Sequence, residues 1–155
     1  MLSWQGAQVA MTKTAILCVD DEEIPRTLRK LVLQKQGYEV VAVSSGKEAL
    51  AILASRHFDL VLTDQMMPGM LGTELTQQIK LATPTMPVVI ISGVNELPAD
   101  SSNADRFISK IEGPEALFTG IAEVLNNYRH VDRTASNGPV ASVEASSRSS
   151  LRARS

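Results

Sequence analysis

Five short, mostly apolar runs alternate with stretches of helical periodicity along this chain, and that alternation leaves few folds open. The runs are Ala15 to Val19, Tyr38 to Val43, Asp59 to Thr63, Pro87 to Ile91 and Asp105 to Ser109. Runs this short and this continuously apolar fit strands buried on both faces. Strands separated by helices imply a parallel sheet covered on both sides by right-handed crossovers. The expected fold is α/β: a flavodoxin-like, doubly wound, five-stranded parallel sheet in the order 2-1-3-4-5, with a shortened fourth helix.

The helices carry their own punctuation. Glu22 to Gln36 sets Ile24, Leu28, Leu31 and Val32 at helical spacing, so this stripe is expected to face the core. Pro25 falls in the first turn, where its missing N–H costs nothing, and Gly37 sits where a helix-ending glycine belongs. Ser45-Gly46-Lys47-Glu48 has capping-box form ahead of Ala49, Leu50 and Leu53. Leu75, Ile79 and Ala82 mark a third helix. Val94 to Ser102, broken by Pro98, supports only a weak fourth. Pro114 opens the last, with Leu117, Ile121, Val124, Leu125 and Tyr128 on one face.

A chain of 155 residues suits one domain. The pattern divides it into a flexible extension (1–12), the patterned domain (13–129) and a disordered Ser-, Ala- and Arg-rich tail (130–155) too poor in apolar residues to bury a core. A net charge of −2 gives no basic field for nucleic acid or an anionic membrane. Met1 to Ala10 lacks the positive charge and apolar run of a signal peptide. No apolar run approaches the ~20 residues that span a bilayer. The expectation is a cytoplasmic protein with no membrane contact and no DNA-binding domain. Cys18, the single cysteine, reads as a small buried hydrophobe.

A parallel sheet gathers the carboxyl ends of its strands on one edge, where open α/β folds place their sites. Four of the runs end there in Asp20-Asp21, Asp64, Ser92 and Lys110. Each has a bland reading: Asp-Asp as a helix cap, Asp64 as the start of a Pro-Gly turn, Ser92 satisfying a loop amide, Lys110 as a solvated lysine. Their joint occurrence at successive strand ends is what the bland readings do not explain. Three clustered carboxylates repel by a few kcal/mol at an effective dielectric near 20 and ask for a cation. Oxygen-only ligands make Mg²⁺ the natural one.

The motifs Leu17-Cys18-Val19-Asp20-Asp21-Glu22, Asp64-Gln65-Met66-Met67-Pro68-Gly69, Ile91-Ser92-Gly93 and Phe107-Ile108-Ser109-Lys110 together resemble the receiver domain of two-component response regulators over about residues 13 to 129. The resemblance implies roles residue by residue. Asp64 would be the phosphoacceptor, taking a phosphoryl group from a histidine kinase or phosphotransfer protein. Asp21, Asp64 and the backbone carbonyl of Met66 would hold Mg²⁺, with Asp20 reaching it through water. Ser92 and Lys110 would bind the phosphoryl oxygens, and Phe107 would be the aromatic switch. The whole would be a stand-alone signalling switch, not an enzyme, acting on an output protein that the sequence does not identify.

Three features of the chain carry expectations of their own. Ile111 follows Lys110 where the family usually has proline, so a trans bond is expected, with room to shift the lysine and weaken its grip on the phosphate. Lys110 comes only 18 residues after Ser92, a shortfall that falls on the fourth helix and argues against the usual dimer face. Met66 and Val94 are apolar where the family tunes dephosphorylation, which predicts slow self-dephosphorylation. The competing readings are a receiver-like binding module that never carries phosphate and an aspartate-nucleophile phosphatase. The second is disfavoured because Asp20-Asp21-Glu22-Glu23 lacks that class's following Thr or Val and no cap domain is expected.

Overall fold

The computed structural model describes residues 12–93 and 103–135. The loose extension, Trp4, Val94, Pro98, the weak fourth helix and the tail beyond 135 lie outside the described residues. Five strands, β1 (Ala15–Val19), β2 (Glu39–Val43), β3 (Leu60–Asp64), β4 (Val88–Ser92) and β5 (Arg106–Ser109), form one sheet in the order β2-β1-β3-β4-β5. Every pairing is parallel, as the alternation predicts. The helices are α1 (Glu23–Lys35), α2 (Gly46–Ser55), α3 (Gly72–Ala82) and α4 (Gly113–Ala135).

Both faces of the sheet are buried. On one, Ile16, Cys18, Leu62 and Ile91 pack with Leu33 of α1 and with Leu117, Ile121, Val124 and Leu125 of α4. On the other, Leu17, Val19, Val61 and Ile90 pack with Ala49 of α2 and with Leu75 and Ile79 of α3. Residues of opposite parity along each strand serve opposite layers, so a one-residue slip would exchange the two cores. Among the described residues no helix is long and apolar enough to cross a membrane.

Two expectations need correction. Of the α1 stripe, Ile24, Leu28 and Leu31 face outward, at 74%, 57% and 50% exposure, Val32 is half-buried, and Leu33 is the buried contact. Arg29 and Arg26 turn the helix this way. The Arg29 guanidinium donates to Asp20 Oδ2 at 2.8 Å, and Arg26 donates to the Asp20 carbonyl at 3.0 Å. These bonds fix the rotation of α1 about Leu33, one turn from Arg29 on the same face. The other correction concerns the carboxyl end. Helix α4 runs to Ala135, past the boundary expected at 129. The core contacts of α4 end near Tyr128, but no glycine or proline interrupts the chain before Gly138, and the helix continues with Val131 exposed.

Local signals mostly take the expected form. Gly37, at φ 97°, ends α1 with its N–H on Gln34 O, while the Tyr38 N–H reaches Leu33 O, the paired bonds of a Schellman motif. The Ser45 hydroxyl caps α2 by accepting from the Glu48 N–H, but Glu48 reaches back to the N–H of Ser44, one residue beyond a standard capping box.

Candidate functional site

The carboxyl edge of the sheet gathers all the strand-end residues that the sequence singled out. Asp20, Asp64 and Ser92 are almost wholly buried, at 2%, 3% and 1% exposure, and Asp21 is half-buried. One carboxylate oxygen from each of Asp20, Asp21 and Asp64 lies within 4.8 Å of the others. Asp20 combines a cap with an ion pair. Its Oδ1 accepts the Glu22 N–H at 3.0 Å, capping α1, which has no side-chain cap from Glu22 itself. Its Oδ2 pairs with Arg29.

Lys110 closes the site from β5. Its Nζ stands 2.9 Å from Asp64 Oδ1. The ion pair meets a carboxylate that is almost wholly buried. The Lys110–Ile111 bond is trans, as expected without proline. Across this trans bond Lys110 still reaches Asp64. A short 3₁₀ turn, Lys110–Glu112, holds it in place. The turn is locked by a capping box in which Ser109 Oγ accepts from the Ile111 N–H and Glu112 Oε2 accepts from the Ser109 N–H. The spacing Ser109-Lys110-Ile111-Glu112 carries the S-x-x-E signal for this lock.

The loop after β3 is pinned equally firmly. Gln65 is buried; its carbonyl accepts the Gly72 N–H at 2.9 Å and its Oε1 accepts the Thr73 N–H at 3.0 Å. These bonds fold residues 65–72 back against the end of β3 and leave Met66 half-exposed beside Asp64. Gly72 lies against the strand end itself: a Cβ there would strike the Asp64 carbonyl oxygen and come to 3.0 Å from Gln65 Cα. Nothing in the Gln65 sequence context marks it as buried. Arg29 was equally hidden, because on a helical wheel it reads as the polar side of α1.

Burial raises the Asp64 carboxyl above the ordinary aspartate range, Lys110 opposes that shift, and the Asp20 charge adds to it. Burial likewise pushes the Cys18 thiol up to about 11, against the pull of the neighbouring Arg29 guanidinium, which marks Cys18 as an inert core residue. Ser92 Oγ, at the end of β4, is buried and without a hydrogen-bond partner. Phe107, half-buried, packs from β5 against the same layer as Ile90, its register partner.

The acidic trio and the orphaned Ser92 hydroxyl on one sheet edge suit a phosphoryl group held beside a divalent cation. The comparisons decide the family. Residues 16–122 match the response regulator receiver domain. The chain belongs to that family. The receiver is 31% identical over 124 residues to the autoinducer 1 sensor kinase/phosphatase LuxN of Vibrio harveyi, covering 79% of this chain and 14% of that one. It is 31% identical over 129 residues to the sensory transduction protein RegX3 of Mycobacterium tuberculosis, covering 81% of this chain and 56% of that one. The receiver therefore spans only part of the curated relatives it matches. The crystal structure of the response regulator TrrA from Thermotoga maritima, in complex with Mg²⁺ and BeF, superposes with a TM-score of 0.68 at 31% identity. It covers 72% of this chain and 98% of that one. Receivers are signalling switches rather than enzymes, and they partner with histidine kinases or phosphotransfer proteins.

Proposed function

We propose that this receiver accepts a phosphoryl group on Asp64 from a phosphohistidine and passes the signal on by protein–protein contact in the cytoplasm. The observation that carries this reading is the convergence, at one buried edge, of Asp64, a hydroxyl with no partner on Ser92 and the Lys110 ammonium 2.9 Å from Asp64. A carboxylate oxygen of Asp64 attacks phosphorus, the P–N bond to the donor imidazole breaks, and the imidazole leaves with the bond's electron pair. Phosphoryl transfer asks a protein mainly to position groups and neutralise charge. Lys110 offers its charge to one phosphoryl oxygen, and Ser92 donates its hydroxyl to another.

Asp20, Asp21 and Asp64, with the Met66 carbonyl, are the residues that would hold Mg²⁺. An oxygen-only set of three carboxylates fits that ion. When bound it supplies positive charge to the phosphoryl oxygens. The new phosphoryl group brings nearly two negative charges. Ser92 follows them, and Phe107, half-buried on the edge strand β5, turns into the space released.

The phosphohistidine has to enter through the crevice mouth. Beside Asp20 and Lys110 a cleft is lined by Pro25, Leu28 and Val32 of α1 and by Pro114 and Leu117 of α4, with Leu28 exposed. An apolar rim around a polar site suits a helical donor that buries its own apolar residues there. The experiment is incubation with a small phosphodonor and Mg²⁺. The expected result is label on the protein, abolished by a chelator. No label under any condition would leave the non-phosphorylated binding module as the better reading.

The lifetime of the phosphoprotein follows from Met66. Its side chain stands beside the acceptor and has no group to orient an attacking water. Purified phosphoprotein is expected to lose label over minutes or longer. Loss within seconds would contradict this.

A further inference from the structure

Arg29 occupies the crevice yet takes no part in phosphoryl transfer. It is the most deeply placed cation of the site, its side chain only 11% exposed, against 42% for Lys110. It sits on the inward face of α1, one turn from the buried Leu33, where an apolar side chain would pack against the sheet. Burying a guanidinium there is costly unless it is paired. Its partner is Asp20, through Nη1 to Oδ2 at 2.8 Å, while the other Asp20 oxygen is taken by the Glu22 N–H. The charge of Arg29 is felt at Asp64 as well, where it opposes the rise caused by burial. The three clustered carboxylates therefore meet two side-chain cations before any metal arrives, Arg29 at Asp20 and Lys110 at Asp64.

We propose that Arg29 is a resident counter-ion of the acidic cluster that competes with the divalent cation for it, and so sets the Mg²⁺ concentration at which this receiver can be phosphorylated. The inference rests on reading the cluster as a Mg²⁺ site. A divalent ion entering among Asp20, Asp21 and Asp64 encounters the guanidinium. Either Arg29 stays and repels it, or Arg29 swings away and gives up its pairing with Asp20. Both routes weaken binding relative to a cluster without the arginine. The pairing also explains how three carboxylates coexist in the apo fold without the repulsion that their spacing implies.

The test is calorimetric titration of Mg²⁺ into the full chain as wild type, Arg29→Gln, Arg29→Lys and Lys30→Gln. Glutamine removes the charge but keeps a donor for Asp20, and lysine keeps the charge. Arg29→Gln is expected to bind Mg²⁺ at least ~10-fold more tightly than wild type. Arg29→Lys and Lys30→Gln, the latter changing a charge on the same helix away from the crevice, are expected to match wild type. Equal or weaker binding by Arg29→Gln overturns the proposal while leaving the Mg²⁺ site intact. No Mg²⁺ binding by any form overturns the Mg²⁺ reading and this inference with it. Should Arg29→Gln fail to fold, the wild type answers alone. The Arg29 Nε–Hε resonance is expected to move during the titration, since an ion among the three carboxylates changes the guanidinium's surroundings whether it stays or swings away, and an unmoved resonance overturns the competition.

Discussion

Asp64→Asn is expected to take up no phosphoryl group from a small phosphodonor and Mg²⁺, and to be more stable than wild type in their absence. The loss is complete because the amide has no carboxylate oxygen to attack phosphorus, while its shape leaves β3 and the loop undisturbed. The gain has a separate cause. Burial holds the Asp64 carboxyl above its ordinary range, so the ionised form is disfavoured in the fold. For a raised carboxyl the stability contribution is fully present below the unfolded value, near pH 4, and is lost as pH rises through the folded value. The variant escapes that loss. Its advantage should be absent near pH 4 and grow towards pH 7, offset in part as the half-exposed Lys110 loses its partner. Thermal melts across this range check it, and a variant less stable than wild type at pH 7 would contradict the burial argument.

Gly72→Ala is expected to lower stability by about 2–3 kcal/mol. The added methyl group would land on the Asp64 carbonyl oxygen and crowd Gln65 Cα. Both neighbours are backbone, held by the bond from the Gly72 N–H to Gln65 O, so neither can yield without moving the end of β3. Phosphoryl uptake should fall with stability, since that strand end carries the acceptor. Gly69→Ala is the contrast. Its added carbon meets nothing, and the cost comes only from a positive φ of 81°, about 1 kcal/mol. Denaturant unfolding of the two variants separates the mechanisms. Equal losses would mean that close packing at Gly72 is not what constrains it.

The sheet and its order were legible because five buried strands cannot be written without five apolar runs, and the residue ending each run must surface at one edge. That is why Asp20, Asp21, Asp64, Ser92 and Lys110 are found together. The rotation of α1 was not legible. Ile24, Leu28 and Leu31 form a good apolar stripe, and a period count gives no weight to an ion pair between Arg29 and Asp20 that turns the stripe outward. Gln65 looked like a loop residue because its burial depends on Thr73 and Gly72 closing over it. The turn that carries Lys110 was not legible from the apolar runs, because a capping box between Ser109 and Glu112 builds it. The end of α4 was set too early because the apolar pattern stops at Tyr128, whereas a helix without a breaker can run on in solvent.

The most direct test is chemical trapping of the acyl phosphate. The wild-type chain, incubated with a small phosphodonor and Mg²⁺ and then reduced with borohydride, should yield homoserine at position 64 on peptide mapping. Asp20 and Asp21 should be recovered unchanged, and the product should be missing when a chelator is present. Homoserine at position 20 or 21, or none at any position, would contradict the assignment of Asp64 as the phosphoacceptor.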